Sequence, residues 1–159
     1  MKYNVFEIRV DPANYIEWPG GGGFQPVDIY IDGRFLIDII REVEKSVFAL
    51  KEEENSERPA GDYISLNKNL TFLPNRNLLG EHFTDHPFVI EPDNIHRGKS
   101  ILLQCSCGIT ECWFLAAKIT VTETTVEWSR LGQFHRNYEY GLQAFVFDRE
   151  QYEQQLNRK

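Results

Sequence analysis

The chain has 159 residues, 42% of them hydrophobic and 13% aromatic, with 17 lysines and arginines set against 24 aspartates and glutamates. That balance suits one globular domain over residues 1–159, able to bury a real core without disulfide or metal staples. A net charge of -7 with no basic run opposes phosphate backbones and argues against nucleic acid as a ligand; no apolar leader and no run of about 18 apolar residues occurs, so the expected setting is the cytoplasm, off the membrane.

Residues 4–10, NVFEIRV, alternate Phe6, Ile8 and Val10 with Val5, Glu7 and Arg9, the period of a half-buried strand that Asp11-Pro12 ends. The loop beyond it carries Tyr15, Trp18, four glycines at 20–23, and Phe24. A phosphate loop needs Lys and Ser/Thr, or a helix, after the glycines; here they run into Phe24-Gln25-Pro26 and another strand, VDIYI. The loop therefore reads as a flap, with Trp18 and Phe24 as candidate contacts to a protein partner.

After Asp32-Gly33 the period becomes helical. Phe35, Leu36, Ile39, Ile40, Val43 and Val47 form one stripe, with Arg41, Glu42, Glu44 and Lys45 mostly off it, which predicts an amphipathic helix over about 34–49. Residues 51–62, KEEENSERPAGD, are too polar to bury and read as a solvated turn. Prolines 74, 87 and 92 cut residues 63–98 into short strands or irregular pieces such as YISL, LTFL and PFVI. His82 and His86 have the spacing of a helical metal pair, but Pro87 biases His86 toward extended backbone, and two solvated histidines are the simpler reading.

ILLQC at 101–105 suits a buried strand. With Glu123-Thr124 as a hairpin tip, Val121 faces Val126, Thr120 faces Glu127 and Ile119 faces Trp128, so like meets like across the strands. AFVFD predicts a last strand. Asp148 then caps a short helix over about 149–157, with Gln151 able to reach back to the cap and Tyr152 and Leu156 sharing a face. The sum is an α+β fold, a mostly antiparallel sheet with one long and one short terminal helix.

Cys105, Cys107 and Cys112 are the only cysteines. As a metal knuckle their spacing departs from CxxC, and a fourth ligand has to come from His135 or His96. A reactive thiol at Cys107 needs a nearby cation, such as Lys118 or Arg136, that sequence alone does not supply. Packed sulfur in a sheet core is the favoured reading, and no cofactor is expected beyond the zinc of the alternative.

The strings CSCGITECWFLAAKITV, VEWSRLGQFHR and FVFDREQYEQQL, with IYIDGRFLIDIIREVE, resemble an uncharacterised family of small bacterial proteins marked by a CxCGxxxCW segment and a terminal Phe-Asp-Arg-x-Gln-Tyr helix start. Phe114 and Phe134 stand where that pattern carries proline. The resemblance implies bacterial origin and transfers no activity. The function expected from the sequence is therefore undetermined, with a non-catalytic domain working through protein contacts ahead of a metal or thiol protein built on Cys105, Cys107, Cys112 and His135. An enzyme drawing on Glu127, His135, Arg136 or Tyr138 stays open.

Overall fold

Strand β1, Phe6–Arg9, buries Phe6 and Ile8 and turns Glu7 and Arg9 outward, as its period requires. The computed structural model that shows this describes residues 2–51, 60–81, 95–106, 113–134 and 136–158. The aromatic loop folds as a small separate hairpin of β2, Ile16–Glu17, and β3, Gly23–Phe24. Strand β4, Pro26–Ile31, pairs antiparallel with β1, placing Ile29 opposite Ile8.

Asp32 and Gly33 both take left-handed backbone, with φ of 52° and 81°, and this tight reversal folds Arg34–Phe35 back on β4 as a short strand, β5. Helix α1 consequently starts later than its periodicity predicts and spans Leu36–Leu50. Of the stripe read from the sequence, Leu36, Ile39 and Ile40 are buried and Phe35, Val43 and Val47 only partly so, while Ile37 and Phe48 are buried beside them. Glu44 is buried there too, against the expectation that it lies off the stripe.

Strand β6, Tyr63–Asn67, runs into the short helix α2, Lys68–Thr71, which Asn67 caps by accepting from the Leu70 N–H at 2.9 Å. Residues 70–71 of LTFL are thus helical rather than extended, because the cap turns the chain before a strand can form. The PFVI segment lies outside the described residues. A 3-10 turn at Asn77–Leu79 presents the Asn77 amide to Ile101, accepting from its N–H at 3.1 Å and donating to its carbonyl at 2.8 Å.

The long strands follow: β7, Ser100–Cys105; β8, Phe114–Val121; β9, Thr125–Gln133; and β10, Phe145–Asp148. The β8–β9 register pairs Ile119 with Trp128, Thr120 with Glu127 and Val121 with Val126, as the residue pattern predicts. An extra β9 residue bulges where the register shifts between Ala116 and Lys118, and Arg130 there has a φ of 55°. Helix α3, Arg149–Leu156, starts at Asp148, which accepts from the Gln151 N–H at 3.0 Å.

Among the described residues these strands form one antiparallel sheet ordered β1-β4-β6-β7-β8-β9-β10, with β5 attached to β4. The sheet curls until its edges meet: the Asn4 N–H donates to Val146 at 2.8 Å, making a short parallel contact beside Phe147. Farther along, α3 takes over. Gln151 accepts from the Phe6 N–H at 3.2 Å and donates to the Phe6 carbonyl at 2.5 Å, while Gln155 accepts from the Ile8 N–H at 2.9 Å and Arg158 donates to the Ile8 carbonyl at 2.8 Å. Gln151 therefore reaches across to β1 instead of back to its own cap. Four helical residues advance about 6 Å and two strand residues about 6.6 Å, so amides one turn apart match alternate positions of the strand. Beneath this seam Phe6, Trp128, Phe147 and Tyr152 pack together, and the Tyr152 hydroxyl accepts from the Trp128 indole at 3.1 Å and donates to the Leu78 carbonyl at 2.5 Å.

Candidate functional site

The residues singled out by sequence fall in different places. Cys105 is buried at the end of β7, opposite Tyr63 of β6, and belongs to the apolar core. Cys107, Cys112 and His135 lie outside the described residues, as do His82 and His86. Gln104 pairs with Phe114 and Leu115 with Gln133, and the Phe134 N–H donates to Phe114 at 2.9 Å. Positions 105 and 134 thus sit at one end of the sheet, on either side of β8, two strand spacings or about 10 Å apart. His96 does not offer a ligand nitrogen: Nε2 meets the Arg136 carbonyl at 2.7 Å and Nδ1 meets Lys99 Nζ at 3.0 Å.

In the aromatic hairpin the paired contacts diverge in role. Trp18 is 41% exposed and Tyr15 52%, whereas Phe24 is buried with its ring centroid 5.7 Å from that of Trp18. Phe24 anchors the hairpin from below, and Trp18 and Tyr15 form its surface. A Cβ at Gly23 would collide with the Ile16 carbonyl oxygen, so this close crossing of β2 and β3 requires glycine.

The densest polar chemistry was not marked as a motif. Glu44, wholly buried on α1, accepts at Oε2 from the hydroxyls of Tyr63 and of Tyr140, the latter at 2.5 Å, and at Oε1 from the Gly61 N–H at 2.8 Å. Gln133, at the end of β9, donates to the Tyr63 hydroxyl at 2.8 Å and accepts from Arg136, whose guanidinium lies 3.9 Å over the Phe48 ring. Burial pushes the Glu44 carboxyl above its ordinary value, with the hydrogen bonds of Tyr140, Tyr63 and Gly61 and the Arg136 charge pulling the other way. Burial also drives both phenols upward, so they remain donors. A signal was present in the sequence: Ile40, Glu44 and Phe48 follow one another at i,i+4, so Glu44 sits on the apolar stripe.

The same segment is held on its other side. Lys99 is buried and donates to Glu139 at 2.6 Å, and Glu139 also accepts from Arg130 at 2.9 Å, which the β9 bulge turns toward it. Burial depresses the Lys99 ammonium, against the Glu139 hydrogen bond and charge. Burial would raise the Glu139 carboxyl, but Lys99 and Arg130 together hold it low. Gly132 is the floor under His96: a Cβ there would lie 2.8 Å from the ring Cε1 and 3.1 Å from the Tyr138 carbonyl. Of the residues weighed for a cleft enzyme, Arg136 joins this network; Tyr138 faces Lys51, whose Nζ is 4.8 Å from the ring, and Glu127 pairs with Thr120 and Val146 well along β9.

No protein-family model, curated protein or solved structure matches the chain. Among the described residues no three His, Cys, Asp or Glu side chains converge as a metal site. Glu44, Tyr63, Gln133 and Tyr140 are all buried and spend their hydrogen bonds on one another, which leaves the carboxylate no face toward a substrate. What this arrangement does is join α1, β6, β9 and the segment after β9 through one charge.

Proposed function

We propose that the protein works in the cytoplasm by contact with another protein, through the β2–β3 hairpin, rather than by turning over a substrate. The observation that carries this reading is the exposure of Tyr15 and Trp18 on a hairpin that stands apart from the main sheet, over a buried Phe24. Aromatic side chains on a preorganised hairpin bury large area at small entropic cost, and tryptophan and tyrosine are enriched among the residues that dominate interface energetics. The net charge of -7 favours a basic partner surface.

The test compares the wild-type chain with Trp18→Ala and Gly23→Ala as immobilised baits. A partner retained by wild type should bind Trp18→Ala at least about 30-fold more weakly, and Gly23→Ala should fail likewise because its hairpin cannot close. A partner held equally by all three would place the contact elsewhere and overturn the reading.

A second reading is favoured by the shared strand ends that bring positions 105 and 134 to one end of the sheet. It assigns zinc to Cys105, Cys107, Cys112 and His135. Protein purified without chelator should then hold one zinc per chain and lose it in Cys107→Ser; a metal-free wild-type chain would end this alternative.

A further inference from the structure

The segment from Arg136 to Tyr140 turns back over the end of β9, where the Arg136 N–H donates to Gln133 at 3.0 Å and the Tyr140 N–H to Leu131 at 2.9 Å. Besides the Arg136 side chain, which donates to Gln133 and lies over Phe48, its ties include three side chains that titrate. Glu44 holds Tyr140, Lys99 holds Glu139, and His96 holds the Arg136 carbonyl.

His96 is the tie with only one workable protonation state. A carbonyl can only accept, so the 2.7 Å contact with Arg136 requires a proton on Nε2. An ammonium can only donate, so the 3.0 Å contact with Lys99 requires a bare lone pair on Nδ1. The neutral Nε2–H tautomer satisfies both; an imidazolium would aim an N–H at an ammonium. The space offers no retreat, because β9 closes on the ring at Gly132. The charges that act on the ring are Lys99, from its own turn, and Glu139, from the segment itself, whose carboxylate is already shared between Lys99 and Arg130 of β9; the Arg136 guanidinium lies over Phe48, so a new cation would face the Lys99 ammonium across a carboxylate that two cations already hold.

We propose that His96 is the trigger of an acid-released strap: protonation at Nδ1 breaks its contact with Lys99 and frees the segment Arg136–Tyr140 from the end of β9. Release carries Tyr140 away from Glu44, so the sealed carboxylate and the Tyr63 hydroxyl become open to solvent. Burial, and after it the Lys99 charge, hold the His96 imidazole below its ordinary value. The sign follows: a base depressed in the fold contributes stability that is complete above the ordinary histidine value and is lost as pH falls through the lower folded one. Glu139, held low, stays ionised over that window and keeps Lys99 an ammonium.

The test uses the intact chain, with the His96 ring followed by NMR and amide protection measured between about pH 7 and about pH 5. Protection of the Tyr140 amide should fall at least about tenfold with the same midpoint as the His96 titration. His96→Gln supplies an N–H donor and an oxygen acceptor without a titration, and its Tyr140 protection should change less than about twofold. Lys99→Met removes the repelled cation, so His96 should titrate at higher pH than in wild type. Unchanged protection in wild type as His96 titrates, or an equal loss in His96→Gln, overturns the proposal. If His96→Gln does not fold, coincidence of the two wild-type midpoints decides, and separate midpoints refute it.

Discussion

Replacing Glu44 with alanine leaves the Tyr63 and Tyr140 hydroxyls and the Gly61 N–H around a void without the carboxylate that accepts from all three. Denaturant unfolding should show a loss of roughly 3 kcal/mol, far above the cost of removing an exposed charge. Glu44→Gln tests the charge alone. Because burial raises the folded carboxyl, the fold holds this proton more tightly than the unfolded chain does. That contribution is complete below the ordinary carboxylate value and is lost as pH rises through the raised one. The stability of wild type relative to Glu44→Gln should therefore decline as pH climbs above about 4.5 and then level off; parallel profiles for the two proteins would show that Glu44 does not titrate in this window. Tyr152→Phe belongs to the same scale. It removes the acceptor for the buried Trp128 indole and the donor to Leu78, and should lower stability by about 1–3 kcal/mol at unchanged volume.

At the scale of elements, the β9 bulge and Gly132 together make the bed on which His96 and the following segment lie. Gly132→Ala should cost about 1–3 kcal/mol and loosen the Tyr140 amide selectively, measured by thermal unfolding and exchange, whereas alanine at Gly33, which meets no neighbouring atom but strains the left-handed reversal, should lower stability without singling out that amide. The elements themselves were largely legible. Period-2 alternation marked β1 and β4, matched cross-strand residues gave the β8–β9 register, and the Asp148 cap marked the start of α3. Two local surprises share a cause, which is that a tertiary or local partner outbid the simple period. The Asp32-Gly33 reversal took Arg34 and Phe35 into β5 before α1 could begin, and Asn67 capped α2 where an extended piece was expected. The polar network was less legible because its members come from residues 44 to 140, and only the fold makes neighbours of them. Glu44 alone advertised itself, by standing on an apolar stripe.

Across the whole molecule the two ends of the chain complete one another. Side chains of α3 serve the β1 backbone where a neighbouring strand would otherwise stand, and an exposed edge that invites strand addition is thereby covered. The core beneath is continuous from Phe6 to Leu156. The sequence pattern announced a last helix but gave no hint that its glutamines, polar and ordinary on a helix surface, act on the first strand. That pairing spans 145 residues between Phe6 and Gln151. During synthesis β1 is made well over a hundred residues before its edge partner, so the strand waits incomplete while the sheet forms around it. Gln151→Ala with Gln155→Ala should therefore quicken unfolding several-fold while leaving the refolding rate within about twofold, as expected of contacts that form after the folding barrier. Stopped-flow measurement of both rates reads this directly, and a slowed refolding limb would mean instead that the seam closes early.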